Sequence, residues 1–317
     1  MIDHFFFLSD ATVNCELQPE TCLLCIRFGD KIPVERYAVT VAGNAANVAV
    51  SLRRLALPSA LATVVGDDVG GREIAHRLEK EGVETRWLTR ANHVATNVSG
   101  VINFHGERTI LVHHTPRHYP KLPRKKFDWI YFTSLGPKQN DVLAVQRDVA
   151  AVVDTTGARL AYNPGSYQLR LPKEKLRSLL PKTDVLFVNK EEAQLITNPN
   201  QAPETPKQLL VALAKLGVRT AVMTDGPHGS YAYDHHTMWF CAPFPGKAIS
   251  RTGAGDSFGA GVVAALAHGE TLPEALRWGS ANAANVVQHI GPQAGLLHKK
   301  EMERVLKQTK RVQAKKL

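Results

Sequence analysis

The stretch SRTGAGDSFGAGVVAAL, Ser250 to Leu266, holds four glycines in its first dozen residues, one carboxylate, Asp256, and an apolar run behind them. Glycine permits positive φ and lets a backbone approach a ligand closely. A glycine-rich turn that opens a helix directs unpaired N–H groups outward, with the positive end of the helix dipole behind them. That combination makes an anion site. Gly253, Ala254 and Gly255 supply the turn, and Asp256 falls at the cap or in the first turn of the helix. An acid there has two readings. It caps the helix, or it is a general base held where a phosphoryl group passes to a hydroxyl. Composition alone does not choose between them. No GK[ST] follows, so the stretch is not a Walker A loop, and it lies too near the chain's end for a dinucleotide fingerprint.

The elements that must position these residues follow from hydrophobic periodicity. Short β-rich runs (HFFFLS, SALATVVG, DWIYFTS, RLAYNP, VLFVN and TAVMTDG) alternate with amphipathic runs. The spacing predicts helices over 44–56, 71–81, 139–155, 207–216, 256–268 and 271–289. Apolar strands alternating with helices give an α/β fold with a mostly parallel sheet covered on both faces. Ligands of such sheets bind at the carboxyl ends of the strands, where VNKEE, TDGPHG and the glycine-rich stretch all fall. Two regions, about 14–40 and 95–114, break the alternation. In the second, VSGVINF and RTILVHH read as antiparallel strands joined by HGE. They point to a small sheet standing off the main body, used as a lid over a cleft or as a dimer interface. With no internal repeat or long linker, residues 1–317 read as one domain with its lid strands inserted.

Lys plus Arg number 39 and Asp plus Glu 29, a net charge of +10. A basic balance favours polyanionic partners such as nucleotides, but no helix-turn-helix, zinc-finger or RNP pattern supports nucleic acid. Part of the excess lies in the tail, KQTKRVQAKKL, read as the solvated end of a helix. No apolar run approaches the ~20 residues of a membrane span. MIDHFFFLSD lacks a basic n-region and reads as a first buried strand, not a signal peptide. Cys22 and Cys25 form a lone CxxC with no second pair, so the four cysteines are expected to be small hydrophobes in a reducing cytoplasm.

The glycine-rich stretch resembles the second signature, DTxGAGD, of the PfkB family, the ribokinase-like carbohydrate kinases. Three further segments match in the family's order. VAGNAANVAVSLRRLALPSALATVVGDDVGGREI, Val41 to Ile74, resembles the first signature. VNKEEA resembles N-x-x-E, and TDGPHGS resembles the strand-end glycine turn. The resemblance implies a three-layer α/β/α sandwich with a mostly parallel central sheet and a small β lid. It further implies an ATP-dependent kinase that phosphorylates a hydroxymethyl group of a sugar. A nucleoside kinase, or a non-catalytic sensor of sugar or nucleotide on the same fold, is the alternative.

By the same resemblance, Asp256 is the base, and Gly253, Ala254 and Gly255 cradle the transferred phosphoryl group. Asn189 and Glu192 organise Mg²⁺ and phosphates, Glu192 largely through water. Thr224, Gly226, Gly229 and Thr252 lie on the ATP side. Asn282 and Asn285 are read either as adenine-side contacts or as ordinary polar helix residues. Asp10, Asn14, Gly43, Asn44 and Asn47 fall on the acceptor side. For Asn47 the residues carry an argument of their own, because a buried unpaired amide is costly and a ligand would satisfy it. Arg108, with Asn97 and Asn103, belongs to the lid. Arg108, Arg117 and Lys138 are the candidate cations for a phosphorylated acceptor. A homodimer through the lid sheet is compatible with the pattern.

Three positions depart from the family. Ser250 replaces the leading acid, and Arg251 follows it. That acid helps hold a monovalent cation in ribokinase-like members, so K⁺ activation is in question, with the Arg251 charge as a substitute. Ala42 replaces a glycine of the first signature. Asn14 stands where many members carry the acid that binds two acceptor hydroxyls, with Asp10 upstream to compensate.

Overall fold

The computed structural model describes residues 1–15, 22–197 and 204–317. Strand Ile2–Leu8 (β1) leads into a short antiparallel pair, Thr12–Asn14 (β2) and Leu23–Cys25 (β3), then Val34–Val41 (β4). Helix Asn44–Arg54 (α1), strand Thr63–Gly66 (β5), helix Val69–Lys80 (α2) and strand Leu88–Ala91 (β6) follow, and then the hairpin of Val98–Phe104 (β7) and Glu107–His113 (β8). The next βα series is Trp129–Phe132 (β9), Gln139–Thr156 (α3), Arg159–Tyr162 (β10), the short helices Ser166–Leu169 (α4) and Lys173–Arg177 (α5), Val185–Asn189 (β11), Lys190–Thr197 (α6), Pro206–Lys215 (α7) and Thr220–Thr224 (β12). The chain finishes with Ser230–Tyr233 (β13), Met238–Cys241 (β14), Ala254–Ala267 (α8), Leu272–Val286 (α9), Lys299–Gln308 (α10) and Ala314–Lys316 (β15).

The main sheet has seven strands in the order β15-β14-β13-β12-β11-β10-β9. β9 to β12 run parallel, and β13 to β15 are antiparallel. The period-2 alternation of β11 explains the layers. Val185 and Phe187 face a core built on α8, α9 and α10, where Val262, Leu276 and Met302 are buried. Leu186 and Val188 face the opposite core, built on α3, α6 and α7, where Val149, Ile196 and Leu213 are buried. A third core, with Ile2, Val50, Ile74, Leu78 and Leu296, holds α1 and α2.

A separate four-stranded sheet has the order β4-β1-β7-β8. Its strands are the extended segments that interrupt the βα alternation, together with β1. In the first inserted segment, residues 16–21 lie outside the described residues. α2 begins at Val69, ahead of the glycine pair, because the Asp68 side chain accepts the Gly71 N–H at 2.8 Å and caps the helix.

Two readings are corrected. The basic tail does not stay a solvated helix end. α10 stops at Gln308, and Ala314–Lys316 pair with β14, while buried Arg277 donates to the Val312 and Leu306 carbonyls. The cysteines are not all reduced. Antiparallel pairing sets Asn14 opposite Leu23, which brings Cys15 beside Cys22, and a disulfide joins them. Cys25 and Cys241 are free. Among the described residues, no helix is long and apolar enough to cross a membrane.

Candidate active site

α8 begins where the glycine pattern places it. Gly253 is its N-cap, in the left-handed conformation at φ 83°. A Cβ there would lie 2.4 Å from Cβ of Pro292, so both backbone angle and space exclude a side chain. The Ser257 N–H donates to the Gly253 carbonyl at 2.9 Å and closes the first turn. The N–H groups of the first helical residues, Ala254 to Asp256, have no acceptor within the helix. With the dipole behind them they form a cradle for an anion. The Ala254 N–H makes a long contact, 3.3 Å, to the Arg251 carbonyl. Beside it the Thr252 hydroxyl is buried with no hydrogen-bond partner among the described residues, leaving it free for a ligand.

Asp256 does not cap the helix. It is buried at 7 % exposure, and its carboxylate accepts the Asn47 side-chain amide of α1 at 2.8 Å. Burial raises its pKa to about 6, against the Asn47 hydrogen bond, which lowers it; the buried carboxyl of Asp3 raises it further. Asp3 accepts the Ser99 hydroxyl at 2.6 Å, and burial raises its pKa too. A chain of polar groups holds Asn47. Gln293 Nε2 donates to Asn47 Oδ1 at 3.2 Å, and Arg77 Nε donates to Gln293 Oε1 at 3.4 Å. The Asn47 amide therefore meets its needs inside the protein, which corrects the expectation that a ligand must satisfy it. What results is one proton acceptor, held in place and poised near 6, at the mouth of an anion cradle.

The second group gathers at the carboxyl ends of β11 and β12. Asn189 and Thr224 are register partners there. The Asn189 backbone N–H donates to the Glu192 carboxylate at 2.8 Å, and the Glu192 N–H donates to Asn189 Oδ1 at 2.7 Å. This reciprocal pair opens α6, and burial raises the Glu192 pKa. Gly226 and Gly229 form the turn after β12, where the Asp225 N–H donates to the Gly229 carbonyl at 2.9 Å. Gly43 and Asn44 open α1, which carries Asn47 to Asp256.

Other expected residues lie elsewhere. Asn282 is fully buried. Its amide donates to Ser51 Oγ at 3.0 Å and to the Ser257 carbonyl at 2.8 Å, and it accepts the Leu297 N–H at 3.1 Å. It ties α9 to α1 and α8 and presents nothing to a nucleotide. Asn285 donates to the Gly295 carbonyl at 2.8 Å. Asp10 is exposed in an ion pair with Arg27 at 2.6 Å. Asn14 lies on β2, next to the disulfide. Arg117 is buried and spends its guanidinium on the carbonyls of Val64, Ala95 and Thr115 and on Asn97. Lys138 lies 3.8 Å from Asp141. Of the three candidate cations, Arg108 lies within electrostatic reach of Arg251, two residues before Gly253. It sits on β8 opposite buried Asn103, which donates to the Val101 carbonyl at 3.1 Å. Its Nε is buried without a hydrogen-bond partner among the described residues, and burial lowers its pKa, opposed by Glu107 and aided by the nearby charge of Arg251. Arg251 itself pairs with Glu107 of β8 at 2.9 Å.

Sequence reasoning misses Gln293, Glu107 and Asp3, because no local spacing marks them. Each reaches the site from an element distant in the chain.

Comparison with known proteins identifies the family to which the chain is similar. The family model described as "pfkB family carbohydrate kinase" matches residues 8–300. The chain is 26% identical over 249 residues to fructoselysine 6-kinase of Escherichia coli (strain K12), covering 78% of this chain and 90% of that one. It is 25% identical over 290 residues to ribokinase of Haemophilus influenzae, covering 86% and 89%. Among solved structures, a candidate ribokinase II from E. coli with bound ATP and Mg²⁺ superposes with a TM-score of 0.79 at 19% identity, covering 97% of each chain.

Proposed function

As a member of the pfkB family of carbohydrate kinases, the chain is an ATP-dependent phosphotransferase, and we propose that it phosphorylates a hydroxymethyl group of a sugar with Asp256 as general base. The observation that carries this reading is the buried Asp256 carboxylate, raised to about 6 and held by Asn47, in the first turn of a helix whose N-terminal amides are open to an anion. A base near 6 is ionised at neutral pH and still able to take a proton. The acceptor hydroxyl gives its proton to Asp256 as its oxygen bonds to the γ-phosphorus. The bond from that phosphorus to the β–γ bridging oxygen breaks, and ADP leaves. Gly253, Ala254 and Gly255 stabilise the transferring group through N–H groups already in place.

On this reading, ATP lies along the carboxyl ends of β11 and β12, near Asn189, Thr224 and the Gly226–Gly229 turn, with Thr252 at its phosphate end. Among the described residues, no cluster of three or more His, Cys, Asp or Glu side chains is placed to hold a metal. That suits Mg²⁺, which keeps several waters and binds through phosphates and one or two carboxylates. Glu192, next to Asn189, is the carboxylate that would reach it through water, and the ion would neutralise phosphate charge. Ser250 supplies no carboxylate for a monovalent cation, and we read the enzyme as independent of K⁺.

The four-stranded sheet is the lid, with Gly43, Asn44, Asn103 and Arg108 on the acceptor side. On one face of it, Tyr37 and Val39 of β4 and Leu111 of β8 are exposed. Exposed apolar residues at both edges of one sheet face favour a second copy of the chain as its cover. Sedimentation of wild type beside Leu111→Lys tests this: a dimer that dissociates in the variant supports it, and a wild-type monomer contradicts it.

The reading of function is tested by a coupled ADP-release assay over a panel of sugars, sugar phosphates and nucleosides. Turnover with a sugar is the expected result. Turnover with nucleosides alone replaces the acceptor class. Binding without ADP release across the panel overturns the kinase reading.

A further inference from the structure

Tyr131 sits at the carboxyl end of β9, and the steps above give it no part. Its ring stacks on Phe187 of β11 at 5.8 Å between centroids. Its hydroxyl is buried and has no hydrogen-bond partner among the described residues. A phenylalanine would make the same stack and leave no orphan hydroxyl, so packing does not explain the oxygen. Its location does. A Cβ built on Gly259 would fall 2.2 Å from the Tyr131 hydroxyl oxygen, so that oxygen rests against the α8 backbone where the glycine leaves room. Gly259 follows Asp256 by three residues, and positions i and i+3 share a helix face. The second glycine pair of GAGDSFGAG thus admits a phenol one turn along the helix from the base.

We propose that Tyr131 is a positioning residue for Asp256: in the complex with ATP and acceptor, its hydroxyl donates a hydrogen bond to the Asp256 carboxylate and holds that carboxylate oriented and ionised. The proposal rests on Asp256 being the base. Hydrogen bonds of catalytic groups are often long or unmade in the unliganded enzyme and tighten when the substrates bind. The phenol is a suitable donor. Burial, and then the Asp256 charge, push its pKa well above the ordinary value, so it stays protonated wherever the enzyme works. The groups facing Asp256 are Tyr131 from β9, the carboxyl of Asp3 from β1 and the uncharged amide of Asn47 from α1, which Arg77 reaches only through Gln293. A second donor from β9 would oppose the effects of burial and of Asp3 on the base.

The test is the pH dependence of kcat, which reports groups in the substrate complex, for Tyr131→Phe. A donor to the charged form lowers a carboxyl's pKa, so its loss moves the acidic limb of the profile upward by about one pH unit. With a wild-type limb near 6, kcat then falls about fivefold at pH 6 and changes less than about twofold at pH 8.5. Thermal stability stays equal or rises, because an orphan hydroxyl is removed. Tyr162 is the control. Its hydroxyl is also buried and unpartnered among the described residues, but it lies in the opposite core, stacked on Phe132. Tyr162→Phe should leave the limb in place. Gly259→Ala, which displaces the phenol, should shift the limb as Tyr131→Phe does, and combining the two should add no further shift. A Tyr131→Phe enzyme with an unmoved limb overturns the proposal, whether or not its stability changes. A wild-type enzyme without a limb near 6 would instead remove Asp256 as base, so the two failures are distinguishable.

Discussion

Replacing Asp256 by Asn should make the protein more stable while it removes the activity. A carboxyl moved from 3.8 to about 6 in the folded state costs about 3 kcal/mol once it is ionised. The sign follows from linkage. The folded pKa lies above the unfolded one, so stability tied to this group is fully present below 3.8 and is lost as pH rises through about 6. Asp256→Asn does not titrate and escapes that loss. The gain should approach about 3 kcal/mol at pH 8 and be about half that at pH 5. The added amide hydrogens need acceptors, so these are upper values. Asn47 can still donate to the retained side-chain oxygen, as it does to the carboxylate at 2.8 Å. Urea unfolding of both proteins between pH 5 and 8 measures the difference. A variant no more stable than wild type at pH 8, or a gain that does not grow with pH, refutes the placement of a buried, ionised carboxylate.

Other consequences follow from the same contacts. Asn282→Ala leaves the Leu297 N–H buried without its partner and removes a second bond from the Ser257 carbonyl, and should cost about 2–4 kcal/mol, with KM for ATP unchanged in the folded fraction. A raised KM without loss of stability would return Asn282 to the nucleotide site. Activity measured against K⁺ at fixed ionic strength should be flat, and strong dependence would contradict the reading of Ser250. Arg251→Gln should raise KM for the acceptor severalfold with little change in Tm, because the half-exposed pair with Glu107 adds little stability. Equal KM values in variant and wild type would remove that pair from the lid's function. Deleting residues 314–317 removes the strand that covers the β14 edge and should lower Tm and promote aggregation. An unchanged Tm would show that edge to be dispensable.

The fold was legible where local pattern and tertiary role coincide. β7 and β9 to β12 are β-rich runs, most of them closed by Gly, Asn or Pro, and α8 follows its glycine turn. β15 was hidden because an edge strand pairs on one side only and tolerates the polar sequence AKK. The disulfide was hidden because the sequence offers CxxC as the nearest pair, whereas hairpin register selects Cys15 and Cys22. Glycine spacing alone left Asp256 between cap and base. The contact that separates the two roles joins residues 209 apart in the chain. Asn282 shows the converse. A polar residue on a late helix reads as available for a ligand, and only the packing of α9 against α1 and α8 consumes its amide.

The central claim is that Asp256 takes the proton of the acceptor hydroxyl. Its most direct test is ADP release by Asp256→Asn with the best acceptor from the panel, alongside a direct measurement of ATP binding. Turnover should fall by about 10²–10⁴-fold with ATP affinity within about twofold of wild type. Undiminished turnover in a variant that binds ATP normally would contradict the account.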